Sequence, residues 1–180
     1  RSFLFYAMAS LVADAASIKS VLIPENGLIA LNVPMEPFRL GSLSTRTAHP
    51  FFIECMEELA SRLGLDIGFA NPYRFKTKGQ MVAECKDIAF LREIAHESMS
   101  CSSPAKARWA SMPPQHCGFC VPCLIRRASL EAGLGITDQT PYGVPTLART
   151  FDSRTAAGEH IRSFILAAKR VRDRPELAPY

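Results

Sequence analysis

Apolar residues crowd the first seventeen positions, "RSFLFYAMASLVADAAS", with hardly a charge among them. The pattern predicts a helix over residues 2–19 that is apolar on nearly all sides, as a helix inside a larger structure would be. Residues 20–23, "SVLI", predict a short buried strand that runs into the polar turn "PENG". Residues 24–48 carry little periodicity and read as a long segment, of the kind that is usually functional when it stays apolar. A second helix is expected to begin near Pro50, a suitable first-turn residue, with Phe52, Met56, Leu59 and Leu63 on one face and Gly64 as its stop. "LDIGFANPY" predicts a strand entering a loop. A third helix is expected over 79–97 with Val82, Cys85, Ile88 and Ala89 inward. Residues 98–123 are Pro-rich and irregular. A fourth helix covers about 122–132 and stops at Gly133; a fifth spans about 154–172 with Ile161, Phe164, Ile165 and Ala168 inward. The tail from 173 to 180 is expected to fray.

Strands alternating with helices predict an α/β layer architecture. The strands are few, so further sequence is expected to complete the sheet. Residues 1–97 would form the α/β portion, 98–172 a cysteine-bearing helical portion, and 173–180 a tail.

The chain has 180 residues, 48% hydrophobic and 21% charged, which is a globular composition for a single domain. A net charge of +4 favours an anionic ligand and is too small to argue for nucleic acid. The first apolar run is too short to span a membrane. It has some features of a secretory leader, but Asp14 stands where a cleavage region would be. The chain opens on Arg1 rather than Met, which suggests a fragment, and the cysteine pattern suits a reducing, cytoplasmic setting.

The chemistry concentrates in "CGFCVPCLIRR", residues 117–127. Cys117, Cys120 and Cys123 form C-x2-C-x2-C, and Cys101 lies upstream in "SMSCSSP". A C-x-x-C turn lets two sulfurs reach one metal. The third cysteine joins from the first helical turn, and a remote one closes a tetrahedron. Four thiolates without an open position describe a structural Zn2+ site. An iron–sulfur cluster is the rival, since close C-x2-C runs also ligate clusters; disulfides or free thiols remain a further alternative. His116 is an alternative fourth ligand to Cys101, or else a solvated loop histidine. Cys55 and Cys85 are expected as small buried hydrophobes.

Cations gather elsewhere too. "NPYRFKTKGQM" sets Arg74, Lys76 and Lys78 before a helix, where they can hold an anion or simply form a solvated run. "STRTAH" brings Ser44, Thr45, Arg46, Thr47 and His49 ahead of the second helix, as anion contacts or as a cap. "PENG" offers Glu25 and Asn26 at the end of a strand, where α/β sheets bind ligands. Arg126 and Arg127 would face a ligand or offset the charge of a four-thiolate zinc. No G-x-x-x-x-G-K-[ST], G-x-G-x-x-G or G-x-S-x-G motif occurs.

Taken together, "IPENGLIALNVP", "LSTRTAHPFF", "NPYRFKTKGQMVAEC" and "HCGFCVPCLIRRASL", followed by "GITDQTPY", resemble the C-terminal part of the 7-cyano-7-deazaguanine synthase (QueC) family. The finer likeness is to the QueC-like proteins of bacterial anti-phage defence systems, the QatC type. It covers most of the chain, residues 2 to 143, and is most specific at the cysteine run. The resemblance implies a PP-loop, adenine nucleotide α-hydrolase-like, Rossmann-like α/β domain with a zinc-bearing C-terminal segment, in which Cys101, Cys117, Cys120 and Cys123 hold the metal. It places Lys76 and Lys78 where the family has a lysine before the corresponding helix. It aligns Arg46 with the arginine of the synthases' proline–aspartate–cysteine–arginine segment, which reads "STRTAHP" here and so departs from the synthase pattern. The activity it implies is ATP-dependent adenylation of a deazapurine carboxylate for attack by an amine. ATP and a deazapurine-type molecule would be its ligands, and other defence-system proteins or a second copy its partners. The family's Ser-Gly-Gly ATP loop is absent from these residues, so the chain alone should not hydrolyse ATP. A non-catalytic zinc-stabilised binding module and an iron–sulfur enzyme of tRNA sulfur transfer are the competing readings.

Overall fold

The computed structural model describes residues 2–31, 48–135, 138–148, 151–152 and 154–173. Contacts divide them into two compact units that meet in sequence between Thr77 and Lys78.

The first unit runs α1 (Ser2–Ala15), β1 (Ser20–Leu22), α2 (Gly27–Leu31), α3 (Pro50–Arg62) and β2 (Gly68–Ala70). The strands pair in parallel, with Val21 opposite Phe69. The expected α/β character is therefore present as mixed helix around a small two-stranded parallel sheet. Its core is Tyr6, Ile23, Ala48, Met56 and Phe69, with Val21, Phe52 and Ile53 packed against them. Tyr6 organises it: the ring meets Phe52 edge-on at 5.3 Å and Phe69 at 5.2 Å, the offset arrangements that aromatic quadrupoles favour. Glu57 of α3 accepts the Phe69 N–H at 2.9 Å, which covers part of β2's backbone with a side chain.

Several expectations shift here. α1 ends four residues early, where Ser17 takes a positive φ of 57°. It buries only Tyr6, Ser10 and Ala13, while Leu11 and Val12 are 65% and 67% exposed; the all-round apolar pattern does not translate into all-round burial among the described residues. α2 occupies part of the segment expected to be irregular. Arg46, with Ser44, Thr45 and Thr47, lies outside the described residues. α3 begins at Pro50 as expected. His49 is its cap, accepting the Phe51 N–H on Nδ1. Its buried face is Met56 and Ala60, with Leu63 67% exposed beyond the helix end.

The second unit contains α4 (Lys78–Ala83), α5 (Ile88–Ile94), α6 (Val121–Leu134) and α7 (Ala156–Asp173), with 3-10 turns at Ala95–Glu97 and Pro104–Ala110. The single helix expected over 79–97 is broken because Asp87 competes for the backbone. Its carboxylate accepts the Phe90 N–H at 2.9 Å and starts a new helix. Cys85 falls in that break, half-buried, and Ala89 is exposed rather than inward. Cys55 is exposed, so neither cysteine is a buried hydrophobe. Gly133 does not stop α6. It lies inside the helix, where a Cβ would come within 2.5 Å of Val82, so it allows α4 and α6 to approach closely. The stop is Gly135, left-handed at φ 64°, donating its N–H to Glu131. In α7 Ala167 is buried in place of the expected Ala168, and Ile165 is 48% exposed. No helix among the described residues is long and apolar enough to cross a membrane.

Candidate metal centre

The knuckle begins with a backbone condition. Gly118 adopts φ 87°, and a Cβ there would lie 2.5 Å from the Val144 carbonyl oxygen. Only glycine fits both constraints. The turn it permits aims the Cys120 N–H at the Cys117 sulfur, 3.3 Å away. Cys120 then precedes α6 as its N-cap residue, and Pro122 opens the first turn, so Cys123 comes round on the same side. Cys101 arrives from upstream and accepts the Cys117 N–H at 3.4 Å.

The result is a closed group of sulfurs. The Sγ atoms of Cys101, Cys117, Cys120 and Cys123 all lie within 4.8 Å of one another. The Cys101–Cys120 separation is 3.9 Å and that of Cys117–Cys123 is 4.0 Å. These are far too long for disulfides. They suit a tetrahedron with metal–sulfur bonds of about 2.3 Å, whose edges are about 3.8 Å. Cys123 is fully buried and Cys120 nearly so. The donor set therefore fits one Zn2+ with no position left for substrate, and the cysteines assigned from spacing are the four that meet.

Crowding dictates the protonation of the metal-free cluster. Hydrogen bonds from Cys117 and then Cys123 hold the Cys120 thiol well below its ordinary range. The same bond to Cys120 pushes Cys117 up to about 11, and bonds to Cys117 and Cys120 push Cys123 up as well. Cys120 thus favours the thiolate, while Cys117 and Cys123 favour the thiol. A divalent cation bound there would replace those protons.

His116 is neither a ligand nor a solvated loop residue. It is 2% exposed, and its Nε2 accepts the Ser100 N–H at 3.0 Å, which fixes the other nitrogen as the protonated one. Burial and then the nearby Arg126 lower its pKa, so it stays neutral. Tyr142 stacks edge-on against it at 5.6 Å. The segment around Tyr142 wraps back over the knuckle, with Gly143 N–H to His116 O at 2.8 Å and Val144 N–H to Cys117 O at 3.0 Å. Tyr142 also donates to Asp138 at 2.5 Å. This wrap was not foreseen from sequence; its available signal is the Pro-Tyr-Gly turn shortly after a helix stop.

Arg126 faces protein, whereas the half-buried Arg127 lines a pocket with Leu124, Glu131, Tyr142 and Phe164. The Arg127 guanidinium lies 3.7 Å over the Tyr142 ring and donates to the Val144 and Pro145 carbonyls. Arg126 is buried and ties α6 to Ser98, Ser100, Ala95 and Thr140.

In the first unit the structure unites two of the cation and carboxylate groups. The loops leaving the carboxyl ends of β1 and β2 touch: Gly27 donates its N–H to Lys76 O at 2.9 Å, and a Cβ on Gly27 would sit 2.8 Å from Arg74 O. Asn26 is buried and accepts the Ile29 N–H at 3.3 Å; Glu25 is half-buried. Burial, then the charge of Glu25, raises the Tyr6 pKa to about 12. Asn71 accepts the Tyr73 N–H at 2.9 Å, and its buried Nδ2 has no partner among the described residues. Arg74 lies over Phe75 and Lys76 near Tyr73. Lys78 begins α4 in the second unit. No protein-family model, curated protein or solved structure gives a significant match to this chain.

Proposed function

We propose that this chain is the C-terminal part of a QueC-like, ATP-dependent ligase, in which a structural Zn2+ on Cys101, Cys117, Cys120 and Cys123 holds the cysteine-bearing segment together. The observation that carries this reading is the convergence of those four sulfurs, in the C-x2-C-x2-C register with one remote partner. Zinc there would act as a cross-link, because four thiolates leave no site for a reacting oxygen. Chemistry would fall to the loops after β1 and β2. Their position beyond the carboxyl ends of parallel strands is the usual ligand position of α/β sheets. Lys76 and Arg74 would hold phosphate, and Asn26, Asn71 and Glu25 would present polar groups to a deazapurine acid. A PP-loop fold, a role in anti-phage defence, and an amine as the attacking partner belong to the same proposal.

The test is exchange of pyrophosphate into ATP by the chain within its full reading frame, with 7-carboxy-7-deazaguanine as acid. Acid-dependent exchange that is lost in Lys76→Ala supports the ligase. Absence of exchange with any deazapurine acid, in a zinc-loaded preparation, rejects it.

A second reading is a non-catalytic zinc-stabilised binding module of a defence complex. The closed four-cysteine group, which leaves no position for a reacting molecule, is compatible with it. It predicts ligand binding at the same loops without exchange.

A further inference from the structure

Arg126 is an unusual residue to bury. Its side chain is 6% exposed, yet no carboxylate lies within ion-pair distance among the described residues. All three guanidinium nitrogens are occupied, and every partner is neutral. Nε and Nη2 donate to Thr140 Oγ1 at 3.1 and 3.0 Å. Nη1 donates to Ser98 Oγ at 2.8 Å and Ser100 Oγ at 3.2 Å. Nη2 also reaches the Ala95 carbonyl. Asp138, which interacts with Arg126 through space without an ion pair, gives one oxygen to the Thr140 N–H at 2.9 Å and the other to the Tyr142 hydroxyl. A buried charge without a direct ion-pair partner is costly, so a further anion beside it would stabilise the site.

The position of Arg126 supplies one. It stands three residues after Cys123 on α6, on the same helical face, where side chains are neighbours. Four thiolates around a divalent cation carry a net charge of −2. The hydrogen bonds are placed to the same end. Ser98 and Ser100 lead directly into Cys101, the one ligand remote from the knuckle, and the Ser100 N–H is also held by His116, which directly precedes Cys117.

We infer that Arg126 is the positioning residue of the metal centre: it delivers Cys101 to the metal and offsets the negative charge of the four-thiolate complex. This rests on the reading of the four cysteines as a metal site. Arg127, engaged by carbonyls and the Tyr142 ring, has no such part.

The experiment compares wild type, Arg126→Met, Arg126→Lys and the pair Ser98→Ala with Ser100→Ala. Zn2+ affinity is read by chelator competition, and the ligand set by the absorption of the Co2+-substituted protein. Arg126→Met is expected to weaken zinc at least about tenfold, the scale of losses when outer-shell partners of metal ligands are removed. Its sulfur-to-cobalt band should fall by about a quarter, one thiolate of four. Arg126→Lys keeps the charge without the fork and should recover part of the affinity but not the band. The serine pair keeps the charge and should show the same fall of about a quarter in the band, which provides a test if Arg126→Met does not fold. A four-thiolate spectrum and wild-type affinity in these variants, even with a lower melting temperature, would overturn the proposal by leaving Arg126 a purely structural role. Wild type that takes up neither zinc nor cobalt would instead remove the metal reading itself.

Discussion

Cys120 sits where a loop becomes a helix, with its N–H on the Cys117 sulfur and its own sulfur 3.9 Å from Cys101. Replacing that sulfur by a hydroxyl should remove bound zinc, so Cys120→Ser is expected to purify without stoichiometric metal and to lower the melting temperature. Full zinc content with an unchanged melting temperature would show that Cys120 is not a ligand. Gly118 gives a test of the backbone. An alanine there meets both the left-handed φ, which costs an L-residue about 1–2 kcal/mol, and the Val144 carbonyl at 2.5 Å. Gly118→Ala should therefore destabilise the second unit by more than that cost, measured by chemical denaturation of the zinc-loaded protein. The protonation of the cluster has its own consequence. Cys117, pushed up to about 11, and Cys123, also raised, hold their protons at neutral pH. Zinc uptake at pH 7 should then acidify a weakly buffered solution, and affinity should fall as pH falls, because protons compete for sulfur. Uptake without proton release would contradict this protonation. The four cysteines were legible in sequence because the spacing of ligands on a knuckle and a first helical turn is itself a geometric statement. His116 and Arg126 were not, because their partners, Ser98, Ser100 and Thr140, are polar residues with no pattern until the loops fold.

Elements were legible where one periodicity ran uninterrupted into a clear stop. α3 starts at its expected proline, and β1 and β2 fall where short apolar runs meet turns. The 79–97 stretch failed because an apolar rhythm continued across Asp87, whose side chain caps a new helix. Gly133 failed for a related reason: sequence cannot tell a glycine that ends a helix from one that lets another helix come near. The distinction has a sign. On an open helix face, Gly→Ala stabilises by about 1 kcal/mol. At Gly133 the new methyl meets Val82 at 2.5 Å, and overpacking costs about 1–3 kcal/mol. Gly133→Ala should thus be destabilising, and adding Val82→Ala should restore part of the loss in thermal melts. A stabilised single variant would mean that α4 and α6 do not pack this closely.

At the scale of the whole chain, the two units draw stability from different sources. The first depends on an apolar core around Tyr6. Folding raises the Tyr6 pKa to about 12 from an ordinary value of 10, so this contribution is complete below pH 10 and is lost as pH climbs towards 12. Tyr6→Phe should flatten that alkaline loss. The second unit has Cys101, Cys120 and Cys123 at its centre, with Cys117 and Tyr142 packed against them, and zinc binding would contribute directly to its folding. The measurement that tests this most directly is sulfur and metal coordination by X-ray absorption on protein purified with its native metal. The account predicts one zinc per chain with four sulfurs at about 2.3 Å. A nitrogen or oxygen in the first shell, iron in place of zinc, or no bound metal would contradict it.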